Sequence, residues 1–245
     1  AHHKGDVPVL TTSKKLNLKV YTANSKDELD ELFSKQSLAS RLAILIDFGI
    51  IVSQKVIDYF PLGIVNSHFS LLPEWRGADP ITFSVLSGQK KTGVSLMLLT
   101  AGMDEGPLLA QTTFDIPKAM TTPELTDALI DQSYQALRNI LPLYVSGEVE
   151  PAPQEAVTLA PNTSPTYSRR LTKEDGIIDW QKPADVIERE VRAFTGWPKS
   201  RTTINGLELV LIRTRVIDMN GTPGTTSVSS KLPIIFCGKK ALALE

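Results

Sequence analysis

Apolar and polar positions change their spacing along the chain, and the changes divide it into elements. Leu18–Tyr21 is an apolar stretch of strand length. The Ser25-Lys26-Asp27-Glu28 that follows has the spacing of a capping box and predicts a helix to about Phe33. Leu42–Ile46 is an unbroken apolar run, the pattern of a strand covered on both faces, and Asp47-Phe48-Gly49 ends it. Val56–Phe60 predicts a short helix and Pro61–Gly63 a break, with buried strands from Ile64-Val65 and again over Val94–Leu99. Strands alternating with helices predict an α/β parallel sheet. From Thr122 to about Tyr144 the spacing becomes helical, with Leu125, Leu129, Leu137 and Leu141 in one stripe and Pro123 in the first turn, where proline is tolerated.

The texture then changes. Glu150-Pro151-Ala152-Pro153-Gln154 and Pro161-Asn162-Thr163-Ser164-Pro165 read as a linker. Asp185–Phe194 is helical, and Leu207–Ile212, Arg215–Ile217, Ile234–Phe236 and Ala241–Leu244 predict short strands between Asn-Gly, Thr-Pro-Gly and Cys-Gly turns. The expectation is a domain over 1–150, a linker over 151–166, and a small β-barrel or open β module over 167–245.

Composition narrows the class. The 245 residues carry 26 Lys+Arg against 27 Asp+Glu, with 42% hydrophobic residues, which excludes a disordered chain. No apolar run reaches the length of a membrane-spanning helix, so no membrane partner is expected. The single Cys237 excludes an internal disulfide and a cysteine-rich metal site, and is expected to be a small buried residue before a turn. With no basic-then-apolar leader at its start, the chain is expected in the cytoplasm. Charge divides unevenly: residues 1–160 are net -5 and residues 161–245 net +4. A basic second part is compatible with a polyanionic partner and equally with an ordinary solvated surface.

Of three histidines, His2 and His3 lie at the start of the chain. His68 stands just past the strand that begins at Ile64, and in parallel sheets ligands bind outside the carboxyl ends of strands. Asn66, two residues earlier, projects to the same side in extended chain. Val94–Leu99 is expected to be the next parallel strand, and the Thr100–Gly106 loop after it would bring Asp104 to the same rim. An amide donor, an imidazole and a carboxylate form a plausible acyl-transfer apparatus. Each also has a structural explanation, as a satisfied histidine, a turn aspartate and a capping amide. The residues alone leave the choice open. No GxGxxG, GxxxxGK[ST] or GxSxG occurs, and one internal histidine gives metal ligation little support, so no metal is expected. Arg169-Arg170 and Arg189-Glu190-Val191-Arg192 read as a solvated surface that could touch phosphates.

The stretch Asn66–Ile81, N-S-H-F-S-L-L-P-E-W-R-G-A-D-P-I, resembles the signature of the formyltransferases that use 10-formyltetrahydrofolate. Thr92–Leu96 and Ala101-Gly102-Met103-Asp104-Glu105-Gly106-Pro107 are similar to that family's T-G-V-[ST] strand and aspartate loop. Lys173–Trp180 and Arg192-Ala193-Phe194-Thr195-Gly196-Trp197-Pro198 resemble the second domain of its methionyl-tRNA branch. The resemblance implies a Rossmann-like formyltransferase domain followed by an OB-like β-barrel, with formyl transfer to the amine of initiator methionyl-tRNA in translation initiation. It implies Asn66 and a protonated His68 as oxyanion donors, with Asp104 orienting His68 and relaying protons. It places Phe48, Gly49 and Ile50 with Ser70, Leu71, Leu72 and Pro73 around the folate, tRNA phosphates on the basic second part, and a monomeric enzyme. An amino-sugar nucleotide as acceptor, and a folate- or tRNA-binding remnant without turnover, are the alternatives.

Against the family pattern, no G-[ST]-P-x-F-A strand precedes Ala1, and the basic tRNA-contacting insertion is represented at most by Lys4-Gly5 and Thr11–Lys15. Glu74 stands where Arg or Lys is commoner, and a further barrel strand is expected about where Leu244-Glu245 closes the chain. The resemblance therefore implies a first strand and helix missing from the catalytic domain.

Overall fold

The computed structural model describes residues 8–160, 164–204, 206–229 and 232–245. His2, His3, Lys4-Gly5 and Pro161–Thr163 of the expected linker lie outside the described residues. In chain order come α1 (Pro8–Lys15), α2 (Lys26–Lys35), β1 (Ala43–Leu45), α3 (Gln54–Ile57), β2 (Ile64–His68), β3 (Arg76–Gly77), α4 (Pro80–Ser87), β4 (Lys91–Leu98), β5 (Leu108–Asp115) and α5 (Thr122–Ser146). After them come α6 (Gln154–Val157), β6 (Tyr167–Ser168), α7 (Ala184–Ala193), β7 (Ser200–Ile204), β8 (Leu207–Leu211), β9 (Thr214–Ile217), β10 (Thr226–Ser229), β11 (Leu232–Phe236) and β12 (Ala241–Leu244).

The capping signals are realised locally. Ser25 caps α2 by accepting from the Glu28 N–H at 3.2 Å, and Thr121 with Glu124 forms a capping box at the start of α5. Leu18–Tyr21, by contrast, makes no strand: it is irregular, with Leu18 and Val20 exposed. Nothing covers the apolar side chains there, so the propensity has no partner to act with.

The central sheet has the order β1-β2-β4-β5 and is mixed. β1 and β2 are parallel, but β4 runs antiparallel to β2 and β5 antiparallel to β4. The expected parallel sheet is corrected here. A parallel return needs a crossover that carries the chain back along the sheet, whereas the excursion through α4 leaves from His68 and re-enters opposite it, at Ser95. α4 packs on α7 and α5 instead of traversing the sheet. β1 is also not the doubly covered strand expected of Leu42–Ile46: it is an edge strand whose Ile44 is 50% exposed. The deep core lies around Val65, Val94, Leu96, Leu125 and Leu129, where β2 and β4 meet α5.

The C-terminal part is β-rich but no closed barrel. β10-β11-β12-β9 form one antiparallel sheet and β7-β8 a separate hairpin, and no pairing joins the two among the described residues. Leu207, Leu209 and Val210 on β8 stay exposed. α7 seals the larger sheet, with Ile187 and Val191 against Cys237 and Leu242. Cys237 is buried as expected, and burial pushes its thiol up to about 11.

The two parts share packing. Leu171, Ala193 and Phe194 belong to the N-terminal core cluster, and Thr122 Oγ1 donates to Ala193 O at 2.8 Å. The segment expected as a linker is laid down on the first part: Ala152 pairs with Leu108, and Thr158 Oγ1 donates to Leu72 O at 2.5 Å.

Candidate active site

β2 carries alternate side chains to opposite sides. Ser67 points to α5, where its hydroxyl lies 2.7 Å from that of Ser133. Asn66 and His68 project the other way, toward the β4–β5 connection. That connection leaves the sheet beside the start of β2, since Leu98 pairs with Val65. The expectation that Asp104 would sit at a common carboxyl rim therefore fails. Residues 99–107 nevertheless fold back so that Asp104 Oδ2 stands 3.7 Å from His68 Nδ1, and the three expected residues share one region.

Two glycines permit that fold-back. A Cβ at Gly106 would lie 1.7 Å from Leu98 O, and one at Gly77 would lie 2.6 Å from Ser168 O. Gly77 also has φ +101°, open only to glycine at low cost. Its N–H donates to Asp104 Oδ2 at 2.7 Å. Asp104 itself takes φ +50°, a left-handed conformation that surrounding contacts must hold.

His68 is 6% exposed. Its Nε2 lies 2.9 Å from Trp75 O, and a carbonyl only accepts, so Nε2 carries a hydrogen. Trp75 is fixed in turn by its N–H to Thr166 Oγ1 and its indole N–H to Gln89 Oε1. Both imidazole nitrogens thus face the protein, Nε2 firmly and Nδ1 across an open gap to Asp104. The Asn66 carboxamide has no hydrogen-bond partner among the described residues although the residue is 8% exposed. It is the free polar group of the trio.

The seven expected pocket residues divide. Phe48 and Gly49 are exposed and Ile50 half-buried, on the loop leaving β1 at the end of the sheet where His68 ends β2. Ser70, Leu71, Leu72 and Pro73 are buried, and their main chain is occupied within the protein. Ser70 O and Leu72 N bond Ser95 Oγ, Leu71 O accepts from Glu74 N, Leu72 O accepts from Gln111 Nε2, and Pro73 O accepts from Thr166 N. Burial of this run puts it beneath the His68 turn, which it supports.

Sequence reasoning gave no role to Trp75, Gly77, Thr166, Arg76 or Gln154. Trp75, Arg76 and Gly77 lie inside the quoted signature. Arg76 is 6% exposed and pairs with Glu105 and Gln154. Gln154 lies in a stretch whose only signal was proline. Glu74, half-buried with no cation paired to it among the described residues, has its carboxyl raised by desolvation.

Residues 2–141 match the family model described as formyl transferase, and residues 170–245 match its C-terminal domain. The chain belongs to the formyl transferase family. The methionyl-tRNA formyltransferase of Chloroflexus aurantiacus is 36% identical over 241 residues, 97% of this chain and 76% of that protein. That of Pseudomonas fluorescens is 34% identical over 238 residues, 97% of this chain and 73% of that protein. Among solved structures, the N-formyltransferase of Helicobacter canadensis in complex with folinic acid and dTDP-3-aminofucose aligns at TM-score 0.68 and 18% identity, covering 96% of this chain and 82% of that one. HypX of Aquifex aeolicus aligns at TM-score 0.64 and 17% identity, over 83% of this chain and 35% of that one. These two likenesses show the fold. With both family domains in place, this formyl transferase has the architecture of a catalytic formyltransferase.

A second region of the same molecule concentrates charge. A cleft of about 940 Å³ opens between the sheet's β4–β5 end and the C-terminal part, beside α4 and α7. Its carboxylates are paired, Asp115 with Lys91, Asp185 with Arg189 and Glu188 with Arg192. The ammonium groups of Lys90, Lys118 and Lys240 on its lining have no partner among the described residues.

Proposed function

We propose that the chain transfers a formyl group from 10-formyltetrahydrofolate to the amine of initiator methionyl-tRNA, acting as a monomer in the cytoplasm in translation initiation. The observation that carries the chemistry is the buried Asn66 carboxamide, unpaired beside the His68–Asp104 pair. The acceptor assignment is supported by the relatives named methionyl-tRNA formyltransferase, which match along both parts of the chain.

The residues fit a folate of this kind. Exposed Phe48 and Met103 offer apolar surface near the pair, Met103 beside Gly77, and Asn66 offers an uncommitted donor. The folate, when bound, supplies the formyl carbon. Asn66 then donates to the carbonyl oxygen as negative charge builds on it, from a side chain committed to no other partner among the described residues. Asp104, held by Gly77 N–H, accepts a proton from the attacking amine and passes it to the folate nitrogen as that nitrogen's bond to the formyl carbon breaks. The 3.7 Å gap to His68 Nδ1 lets a water or the amine touch both groups from the side. His68 Nε2–H stays on Trp75 O and keeps the ring oriented. This replaces the symmetric pair of oxyanion donors that the family resemblance implied for Asn66 and His68.

The acceptor's phosphates are assigned to the unpaired lysines of the cleft and the basic C-terminal part. Competition between acceptors tests this. The purified chain with 10-formyltetrahydrofolate is offered methionyl-initiator tRNA and a dTDP-amino sugar together. Formyl on the tRNA amine, with KM rising steeply with salt, is expected. Preferential formylation of the sugar would overturn it.

A further inference from the structure

Gln154 opens α6, in the segment whose composition suggested only a linker, yet it is 2% exposed. Every part of its carboxamide is used. Nε2 donates to Asp104 O at 2.8 Å and to Gly106 O at 2.9 Å, and Oε1 accepts from Arg76 Nη2 at 2.8 Å. A primary amide buried this deeply persists because all its partners are in place.

Those partners belong to the two strands of chain that hold the catalytic pair. Asp104 O and Gly106 O fix the main chain around a residue in the left-handed region, φ +50°. Arg76 lies between Trp75, whose carbonyl orients His68, and Gly77, whose N–H holds the Asp104 carboxylate. We infer that Gln154 is a positioning residue that clamps the Asp104 loop to the Trp75–Gly77 segment and so sets the Asp104 carboxylate opposite His68. Gln154 touches no substrate. The inference rests on the formyl-transfer reading for its kinetic consequence, but the clamp itself is a structural statement with its own readout.

That readout is the Gly77 amide proton, which reports the Asp104 carboxylate directly. Gln154→Leu removes all three bonds at similar size. Gln154→Glu keeps the contact to Arg76 but cannot donate to either carbonyl when ionised, and it carries the test if the leucine variant fails to fold. Both are expected to lower kcat about ten- to hundredfold, as displaced catalytic groups do. KM for 10-formyltetrahydrofolate should hold, and the Gly77 amide proton should move upfield, as in Asp104→Ala. Combining Gln154→Glu with Asp104→Ala should lose no more turnover than Asp104→Ala alone. A folded variant with unchanged kcat and an unmoved Gly77 resonance overturns the clamp, and so does a loss that adds fully to that of Asp104→Ala. If the wild-type chain formylates no acceptor, the formyl-transfer reading fails by itself. The Gly77 resonance in Gln154→Glu then decides the clamp alone, a shift supporting it and an unmoved resonance ending it.

Discussion

In the cleft beside α7 the carboxylates are neutralised by neighbouring cations, and three lysines of the lining have no partner among the described residues. Along β2 the polar residues are buried: His68 bonds a main-chain carbonyl, Ser67 bonds the Ser133 hydroxyl, and the Asn66 amide is left over. The cleft has the volume, and the β2 region has the order. A large, open, positively biased space suits a large polyanion held by many weak contacts. A small set of largely buried groups brought side by side suits the stabilisation of charge on one reacting atom.

The sharpest way to break this comparison is to alter each region and ask which kinetic constant responds. His68→Ala and Asp104→Ala should each lower kcat by about 10²–10⁴-fold, the range for losing a positioned acid–base group, with the double variant little worse than either single. Rapid-quench formyl transfer on folded variants checks this. Unequal, fully additive losses would mean that the pair does not act as a unit.

Replacing Lys90, Lys118 and Lys240 together by alanine should leave kcat in place, raise KM for tRNA about tenfold, and flatten its dependence on salt by about three phosphate contacts. An unchanged salt slope would place the tRNA elsewhere on the surface.

The smallest expected effect concerns Glu74. Desolvation raises its carboxyl above the ordinary value of 4.5, so the folded state holds the proton more tightly than the unfolded chain. Its contribution to stability is fully present below the ordinary carboxylate range and is lost as pH rises through the raised value. Glu74→Gln should therefore stabilise the protein slightly near neutral pH, by about 0.5 kcal/mol or less. The advantage should vanish in acid. Thermal unfolding of both proteins at pH 7 and pH 4 distinguishes this from a pH-independent change.

The elements most legible in the sequence were those that local chemistry decides. The capping box at Ser25, the stripe of Leu125, Leu129 and Leu137, and the turn-bounded strands of the C-terminal part all rest on nearby residues. What failed depended on partners far along the chain. The direction of β4 is set by where the α4 excursion returns, and no hydrophobic pattern records that. Barrel closure would require β8 to pair beyond its own hairpin, and its exposed side chains show that it does not. The site was legible in part. Asn66, His68 and Asp104 stood out by type and by family signature, though the rim argument offered for Asp104 assumed the wrong strand direction. Ser70–Pro73 are buried under the His68 turn, and their sequence, which reads equally as wall or floor of a site, does not record that depth. Gln154 could not be found at all, since its role consists of three contacts that exist only once the chain has folded.

The central claim is that the free Asn66 amide stabilises charge in formyl transfer to methionyl-tRNA. Single-turnover transfer by Asn66→Ala at saturating folate tests it most directly, because the Asn66 side chain has no hydrogen bond among the described residues whose loss would disturb the fold. The account predicts a rate lowered about 10²–10³-fold, as for a lost oxyanion donor, with folate affinity retained. A rate close to that of the wild-type chain would contradict it.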